Sequence, residues 1–280
     1  MKNFIRKHSN LFYFALTFGW TWILVFVLIL SGGVEDISKP TPAFVLIGLL
    51  CGISPSLSAI LIARISGGKA GLKALFDRFR QKNSRSLLVL ALLIVPAVAA
   101  VTIFISHHLI RTYEAMLTIP VIFIGLIWPL FSSFGEEFGW RGFILPQLLK
   151  KFSPLKASVV LGLIWAVWHI PMDYIAYKDY GIYLIPAYLV TNFINLTIHA
   201  VIMTYLYRRS GGNLKLMVLY HYTITAAAIL PGAFFKFTSL PQYTVWEGVV
   251  SVSLLLVLAV VFTVKDALRQ KQEKKAGLEH

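Results

Sequence analysis

Residues 87–106 read LLVLALLIVPAVAAVTIFIS, a run of twenty residues without one charged side chain. At 1.5 Å per residue, a helix of this length crosses the hydrocarbon core of a bilayer, which is about 30 Å thick. Other stretches before and after it have the same character. Together, the predicted spans cover roughly residues 11–31, 42–63, 87–107, 118–135, 157–176, 182–207, 214–235 and 245–264. The sequence therefore predicts an all-α, polytopic membrane protein with eight transmembrane helices.

The composition of the 280-residue chain agrees with a protein that lies in a bilayer. Hydrophobic residues make up 58% and charged residues 14%, and the mean hydropathy is +0.74. A net charge of +14 can indicate nucleic-acid binding, but that function needs a basic face on a folded domain. Here the basic residues lie in short gaps between apolar runs, so we expect no nucleic-acid partner. The single cysteine, Cys51, excludes both a disulfide framework and a cysteine-based metal site.

Basic residues also predict the orientation of the chain, because cytoplasmic loops carry an excess of lysine and arginine. Most of the 26 lysines and arginines fall on one side of the predicted topology. The opposite side has only Lys39, Arg111, Lys178 and Lys236. We therefore predict that both termini are cytoplasmic, in what we expect to be a bacterial cytoplasmic membrane. After the second span, residues 69–84 have an apolar and a basic face, which indicates either an amphipathic helix on the cytoplasmic surface or a plain basic loop.

Ionisable side chains within the spans are costly in lipid and are therefore the first functional candidates. The densest group lies in residues 133–141, SFGEEFGWR. In a helix, Glu137 and Arg141 are four residues apart and face each other, whereas Glu136 is turned about 100° away. The guanidinium would keep Glu137 ionised and leave Glu136 free to take a proton from water. The alternative is a purely structural acid pair at a helix end.

Two histidines in later spans are also functional candidates. His169 lies one turn after Trp165, whose indole can pack on or orient the imidazole, and Thr225 lies one turn after His221. Each histidine alone is more typical of a contact between helices. If the histidines lie against the acid pair, hydrogen bonds among these groups would offset the free energy that their burial costs. A carboxylate beside two imidazoles can activate water for attack on a carbonyl group.

A further polar stripe is predicted in the sixth span. His199 shares a helix face with Asn195, and Asn192 lies seven residues before His199. These side chains either form hydrogen bonds between helices or line the site.

At these positions the chain resembles the CAAX protease and bacteriocin-processing (Abi) family of intramembrane proteases, which includes the Ras-converting endopeptidases. The E-E-x-x-x-R motif of that family matches Glu136, Glu137 and Arg141. Its F-x-x-x-H motif matches residues 165–169 with tryptophan in place of phenylalanine. Its H-x-x-x-N motif falls on His221, with Thr225 in place of asparagine.

The resemblance implies an endopeptidase that cleaves a membrane-associated peptide or protein. It implies that Glu136 activates water, and that His169 and His221 polarise the carbonyl group or bind a metal. Members of the family are described both as metalloproteases and as glutamate proteases, so a metal such as Zn²⁺, with Glu136, His169 and His221 as candidate ligands, stays open. The sequence has no H-E-x-x-H motif for a zincin-type site.

We expect residues 1–277 to form one integral-membrane domain with a catalytic core at about 118–235, and residues 278–280 to be an expression-tag remnant. Two rival functions stay open. One is a non-catalytic immunity or scaffold protein of the same fold, and the other is a proton-coupled transporter with Glu136 as carrier. A transporter favours repeat symmetry between the two halves, and none is evident in the sequence.

Overall fold

The computed structural model describes residues 2–32, 41–82, 84–110, 113–237 and 239–275. Residues 278–280 and the loop positions Lys39 and Arg111 lie outside them. The α-helices are α1 (Lys2–Lys7), α2 (Ser9–Leu30), α3 (Pro42–Arg80), α4 (Arg85–Ile110), α5 (Ile119–Gly139), α6 (Leu145–Leu149), α7 (Pro154–Tyr177), α8 (Leu184–Tyr188), α9 (Asn195–Arg209), α10 (Leu214–Ile229), α11 (Pro231–Phe234) and α12 (Leu240–Lys275).

Two π-helical segments join some of these helices into longer runs. Trp140–Ile144 connects α5 to α6, and Leu189–Ile194 connects α8 to α9. A 3₁₀ turn, Gly181–Tyr183, precedes α8. In the described part of the chain, eight such helices or runs are long and apolar enough to cross a membrane. The prediction of an all-α, polytopic membrane protein with eight spans is confirmed.

Two strands of three residues were not predicted from the sequence. Strand β1 (Tyr113–Ala115) pairs antiparallel with β2 (Phe235–Phe237). The ribbon continues into backbone hydrogen bonds from Met116 N to the carbonyl of Phe234 and from Thr118 N to that of Ala233, both 2.8 Å. It therefore joins the start of α5 to the end of α11.

Helix α3 contains both the second predicted span and the start of the predicted amphipathic segment. The backbone breaks at Gly68, where φ is +62°, a conformation that glycine adopts without steric cost. Beyond this break, the rings of Phe76 and Phe79 lie 5.4 and 5.7 Å from the ring of Phe138 on α5. Part of the apolar face of this segment therefore packs against protein, and its place at the lipid headgroups stays a prediction.

Helix α5 lies between α3 and α10, and α7 packs against α9. Helix α3 comes close to α5 because Gly135 and Gly139 face it. The outer face of α5 exposes large apolar side chains such as Phe123, Ile127 and Phe131, which suits contact with lipid. The end of α5 is consequently surrounded by protein while its beginning borders the bilayer.

Candidate active site

The last turn of α5 carries the two glutamates, and both are buried. Glu137 Oε1 accepts a hydrogen bond from Arg141 Nη1 at 2.9 Å, as the spacing of four residues predicts. The same oxygen accepts from His221 Nδ1 at 2.7 Å. Arg141 has no exposed surface, and its guanidinium lies 4.3 Å from the ring centroid of Trp165. Glu137 is therefore committed to two internal partners.

Glu136 meets a different set of groups. Its Oε2 accepts from the indole Nε1 atoms of Trp165 at 2.7 Å and Trp140 at 3.3 Å. Its Oε1 lies 3.9 Å from His221 Nε2, which is too far for a direct hydrogen bond. Two neutral donors thus fix one oxygen of this carboxylate, and the other oxygen is directed towards an imidazole.

Both histidines are held through Nδ1. In His169 this atom lies 2.9 Å from the backbone carbonyl oxygen of Trp165, and in His221 it lies on the Glu137 carboxylate. A carbonyl oxygen and an ionised carboxylate only accept, so Nδ1 carries the hydrogen in both rings. Each Nε2 is then the atom left to act on water or substrate.

Trp165 has a larger role than its spacing predicted. Its backbone carbonyl, one turn before His169, orients that imidazole. Its indole binds Glu136 and packs edge-on against His221, with 5.3 Å between ring centroids. One tryptophan therefore contacts the acid and both histidines, which a spacing argument within one helix does not reveal.

Thr225 lies one turn beyond His221, where the family motif has asparagine. Its hydroxyl is 3.4 Å from the carbonyl oxygen of His221 and 3.3 Å from the hydroxyl of Ser132. Both distances are longer than the usual 2.7–2.8 Å of a hydroxyl hydrogen bond. The hydroxyl is therefore only weakly held by its own helix.

A cavity of about 390 Å³ joins most of these groups. Glu136, His169, His221 and Thr225 line it, and Glu137 and Arg141 lie behind its wall. The remaining wall is mostly apolar and includes Val25, Leu28, Phe44, Trp128, Met172 and Ile175. The structure thus brings a carboxylate and two imidazoles to one end of an apolar chamber.

One polar pair at this chamber was missed from the sequence. Asn192 is 7% exposed, lines the cavity, and donates from Nδ2 to the Asp173 carboxylate. Its Oδ1 has no hydrogen-bond partner among the described residues, so it is a buried acceptor at the chamber. The available signal was Asp173 itself, an acid within the fifth span one turn after His169.

The rest of the predicted polar stripe lies elsewhere. His199 Nδ1 is 3.0 Å from the hydroxyl of Tyr220 on α10, a contact between helices. His199 and Asn195 line a second cavity of about 430 Å³, together with Glu247 of α12. The π-helical segment Leu189–Ile194 contains Asn192 and changes the helical phase before Asn195. Asn192 therefore lines the first cavity, whereas Asn195 and His199 line the second.

The three candidate metal ligands line the same chamber, but they are not arranged to bind one metal ion together. Within the described ranges, no three histidine, cysteine, aspartate or glutamate side chains are arranged so that they could hold one metal ion together. Glu136 Oε2 is already occupied by two indole donors. The arrangement of donors therefore does not fit a three-ligand site.

Comparisons with known proteins indicate a similarity to one family of membrane proteases. Residues 118–227 match the family model described as "Type II CAAX prenyl endopeptidase Rce1-like". The chain is also 26% identical over 234 residues to the CAAX prenyl protease 2 of Methanococcus maripaludis, covering 78% of this chain and 83% of that protein. Both matches support the CAAX protease family.

The matched region contains the whole predicted site, because it begins at residue 118 and ends two residues beyond Thr225. The similarity to the CAAX protease family supports a protease function for the chain. It also agrees with the eight apolar helices in supporting an integral membrane protein.

Proposed function

We propose that this protein is an intramembrane endopeptidase in which Glu136 activates the water that hydrolyses a peptide bond. The observation that supports the proposal is that the two glutamates have different partners. Glu137 is taken up by Arg141 and His221, whereas Glu136 lines the chamber and turns Oε1 towards His221 Nε2. A general base needs such an oxygen beside the space where water and substrate meet.

The reaction follows from the positions of these atoms. Glu136 takes a proton from water, and the hydroxide attacks the carbonyl carbon of the scissile bond. Since Nδ1 already carries one hydrogen, a His169 or His221 ring that takes up a second proton carries it on Nε2 and donates it in a hydrogen bond to the developing oxyanion. Collapse of the intermediate breaks the C–N bond, and Glu136 returns its proton to the leaving amine. Glu137 holds the His221 ring in place by its bond to Nδ1.

The chamber indicates the class of substrate. Its wall away from Glu136 is formed by aliphatic and aromatic side chains from α2, α3 and α7, which suits a hydrocarbon chain. The family match adds that a relative is named a prenyl protease. We therefore propose a membrane-associated peptide with a prenyl group close to the scissile bond as substrate.

The test is cleavage of a prenylated peptide by the protein reconstituted in liposomes. Wild type should cleave it, and Glu136→Gln should lower turnover at least about 100-fold, because an amide has the same shape but cannot take the proton. Glu114→Gln, the same change at an exposed acid, should match wild type. Equal turnover of Glu136→Gln and wild type would remove Glu136 as base. A scaffold or a transporter predicts no cleavage by any of the three.

We propose further that the reaction needs no transition metal, because no three donors of the described residues are arranged to hold one. A chelation experiment tests this. Protein shown by elemental analysis to lack transition metals should keep its full rate. Loss of activity with a chelator and recovery with Zn²⁺ would contradict the proposal, and would instead make His169, His221 and Glu136 metal ligands.

A further inference from the structure

A polar pocket of about 420 Å³ lies at the predicted cytoplasmic face, away from the chamber that contains Glu136. Its charged lining consists of Arg78, Arg208, Arg209, Arg269 and Asp266. The lining thus has four arginines and only one aspartate. The pocket is therefore a strongly cationic site.

The arginines come from three separate segments. Arg78 lies near the end of α3, Arg208 and Arg209 end α9, and Arg269 lies on α12. The pairs that close the pocket are distant in sequence, with 129 residues between Arg78 and Tyr207 and 58 between Arg208 and Asp266. Basic loops are common on the cytoplasmic side, but that tendency does not require separate segments to converge around one pocket.

Internal contacts fix two of these arginines. Arg78 Nη1 donates to the hydroxyl of Tyr207 at 2.6 Å and lies 3.4 Å from the carbonyl oxygen of Gly142. Arg208 pairs with Asp266, the single acid of the lining. The positive charges of Arg78 and Arg209 have no carboxylate within the lining to balance them. Guanidinium groups placed together in this way match the oxygens of a phosphate.

We propose that this pocket binds a phosphate group, supplied by an anionic phospholipid of the adjacent leaflet. Basic pockets between membrane helices on this side hold lipid headgroups by the same chemistry. The neighbouring face of α12 supports a lipid as the source, because Val261, Val264 and Leu268 are exposed apolar side chains near Arg269. Acyl chains can lie along this face while the phosphate meets the arginines. Free inorganic phosphate offers the same group without the chains.

A bound phosphate would also fix a segment next to the candidate active site. The carbonyl of Gly142 belongs to the π-helical segment that contains Arg141, the partner of Glu137. This segment has little room, because a Cβ at Gly142 would lie 2.9 Å from Leu75 Cδ1 and 3.1 Å from Leu214 Cδ1. Binding should therefore raise the thermal stability of the protein.

The experiment measures binding and stability of the full chain in detergent, so its outcome is independent of protease activity. The probes are phosphatidylglycerol, dioleoylglycerol without phosphate, and inorganic phosphate. Native mass spectrometry gives the bound lipid, and thermal unfolding gives the stability. The double variant Arg209→Gln/Arg269→Gln is compared with Lys150→Gln/Lys151→Gln, which removes the same charge from exposed positions outside the pocket.

Wild type should bind phosphatidylglycerol and be stabilised by it, and dioleoylglycerol should do neither. The double variant should bind about 25-fold more weakly, at roughly fivefold for each arginine removed. The lysine control should bind like wild type. Arg209→Gln alone, at an exposed position, should weaken binding about fivefold and serves if the double variant does not fold.

The inorganic phosphate arm identifies the source of the group. Stabilisation by phosphatidylglycerol alone assigns the site to a lipid. Equal stabilisation by inorganic phosphate, lost in the arginine variant, contradicts the lipid source and assigns a free anion. Equal loss of binding in the arginine and lysine variants, or no loss in either, would overturn the pocket as a phosphate site.

Discussion

Glu136 and Glu137 are adjacent in the chain, but their carboxylates meet different partners. Glu137 binds a guanidinium and an imidazole, and Arg141 is fully buried above the ring of Trp165. Glu136 binds two indoles and lines the chamber. These partners support the proposal that Glu137 organises the site and that Glu136 reacts.

Glu137→Gln should primarily reduce stability. The change leaves the buried Arg141 without its counter-charge, and breaking such a pair by removal of one partner costs about 3–5 kcal/mol. Thermal unfolding in detergent should show a clearly lower midpoint than Glu136→Gln, which faces neutral donors. A Glu137→Gln protein that is as stable as wild type but inactive would reverse the roles of the two acids.

Thr225→Val should lower turnover at least tenfold, because it removes a hydroxyl at the wall of the chamber. That hydroxyl is held only by contacts of 3.3 and 3.4 Å, so it can turn towards an oxyanion. Loss of one oxyanion donor costs on the order of 100-fold or more in turnover. Thr225→Asn should preserve or raise turnover. The measurement is the rate on a cleavable peptide.

The matched control for this change is Thr263→Val. Thr263 bonds the carbonyl of Ala259, one turn earlier in α12, at 2.7 Å and lies outside the chamber. It should leave turnover unchanged. If Thr225→Val behaves in the same way, the oxyanion depends on His169 and His221 alone.

At the scale of elements, the end of α5 approaches α2 and α3 so closely that only glycine fits. A Cβ at Gly139 would lie 2.5 Å from the hydroxyl oxygen of Tyr13 and 2.6 Å from the backbone of Pro55. At Gly135 it would lie 2.4 Å from the carbonyl oxygen of Gly52. The two small residues, four apart, thus let α3 support the turn that carries both glutamates.

Gly139→Ala should destabilise the protein by about 1–3 kcal/mol, the usual cost of overpacking. Gly19→Ala is the control, since a Cβ there meets nothing within 4 Å and alanine favours a helix. The control should be neutral or stabilising. Thermal unfolding midpoints compare the two variants, and equal midpoints would show that α5 can move away from α3 without cost.

Hydropathy alone predicted the eight spans, because each must be a long apolar helix to satisfy its backbone in lipid. It did not predict the π-helical segments or the β1–β2 ribbon, whose formation depends on contacts between distant segments. It placed the end of the second span at residue 63 and the amphipathic segment at residues 69–84, whereas the first part of α3 extends to the break at Gly68 and the second part ends at Arg80.

The candidate site was likewise predicted only in part from the sequence. The pairing of Glu137 with Arg141 follows from a spacing of four residues and was predicted. The bonds from Trp165 to Glu136 and from His221 to Glu137 join residues 29 and 84 positions apart. The free energy that it costs to bury ionisable groups in the spans predicted that these groups converge. Which groups pair depends on how α5, α7 and α10 pack. The pairing of Asp173 with Asn192 was missed for that reason.

At the scale of the whole molecule, the candidate site and the cationic pocket lie towards the same end of the helix bundle. Glu136 is three residues from the end of α5, and Gly142, just beyond it, contacts Arg78 of the pocket. The distribution of lysine and arginine predicts that this end is cytoplasmic. The side from which substrate and anionic lipid reach the protein therefore depends on the orientation of the bundle.

Cysteine labelling on intact cells tests that orientation. The native Cys51 is buried and is first changed to alanine. A cysteine at Lys236, exposed on β2, should react with an impermeant thiol reagent from outside, whereas one at the exposed Lys150, after α6, should react only after lysis. Labelling of both variants after lysis controls for accessibility. The inverse pattern would place the Glu136 end of the bundle at the outer surface, and the phosphate site would then have to draw its lipid from the outer leaflet.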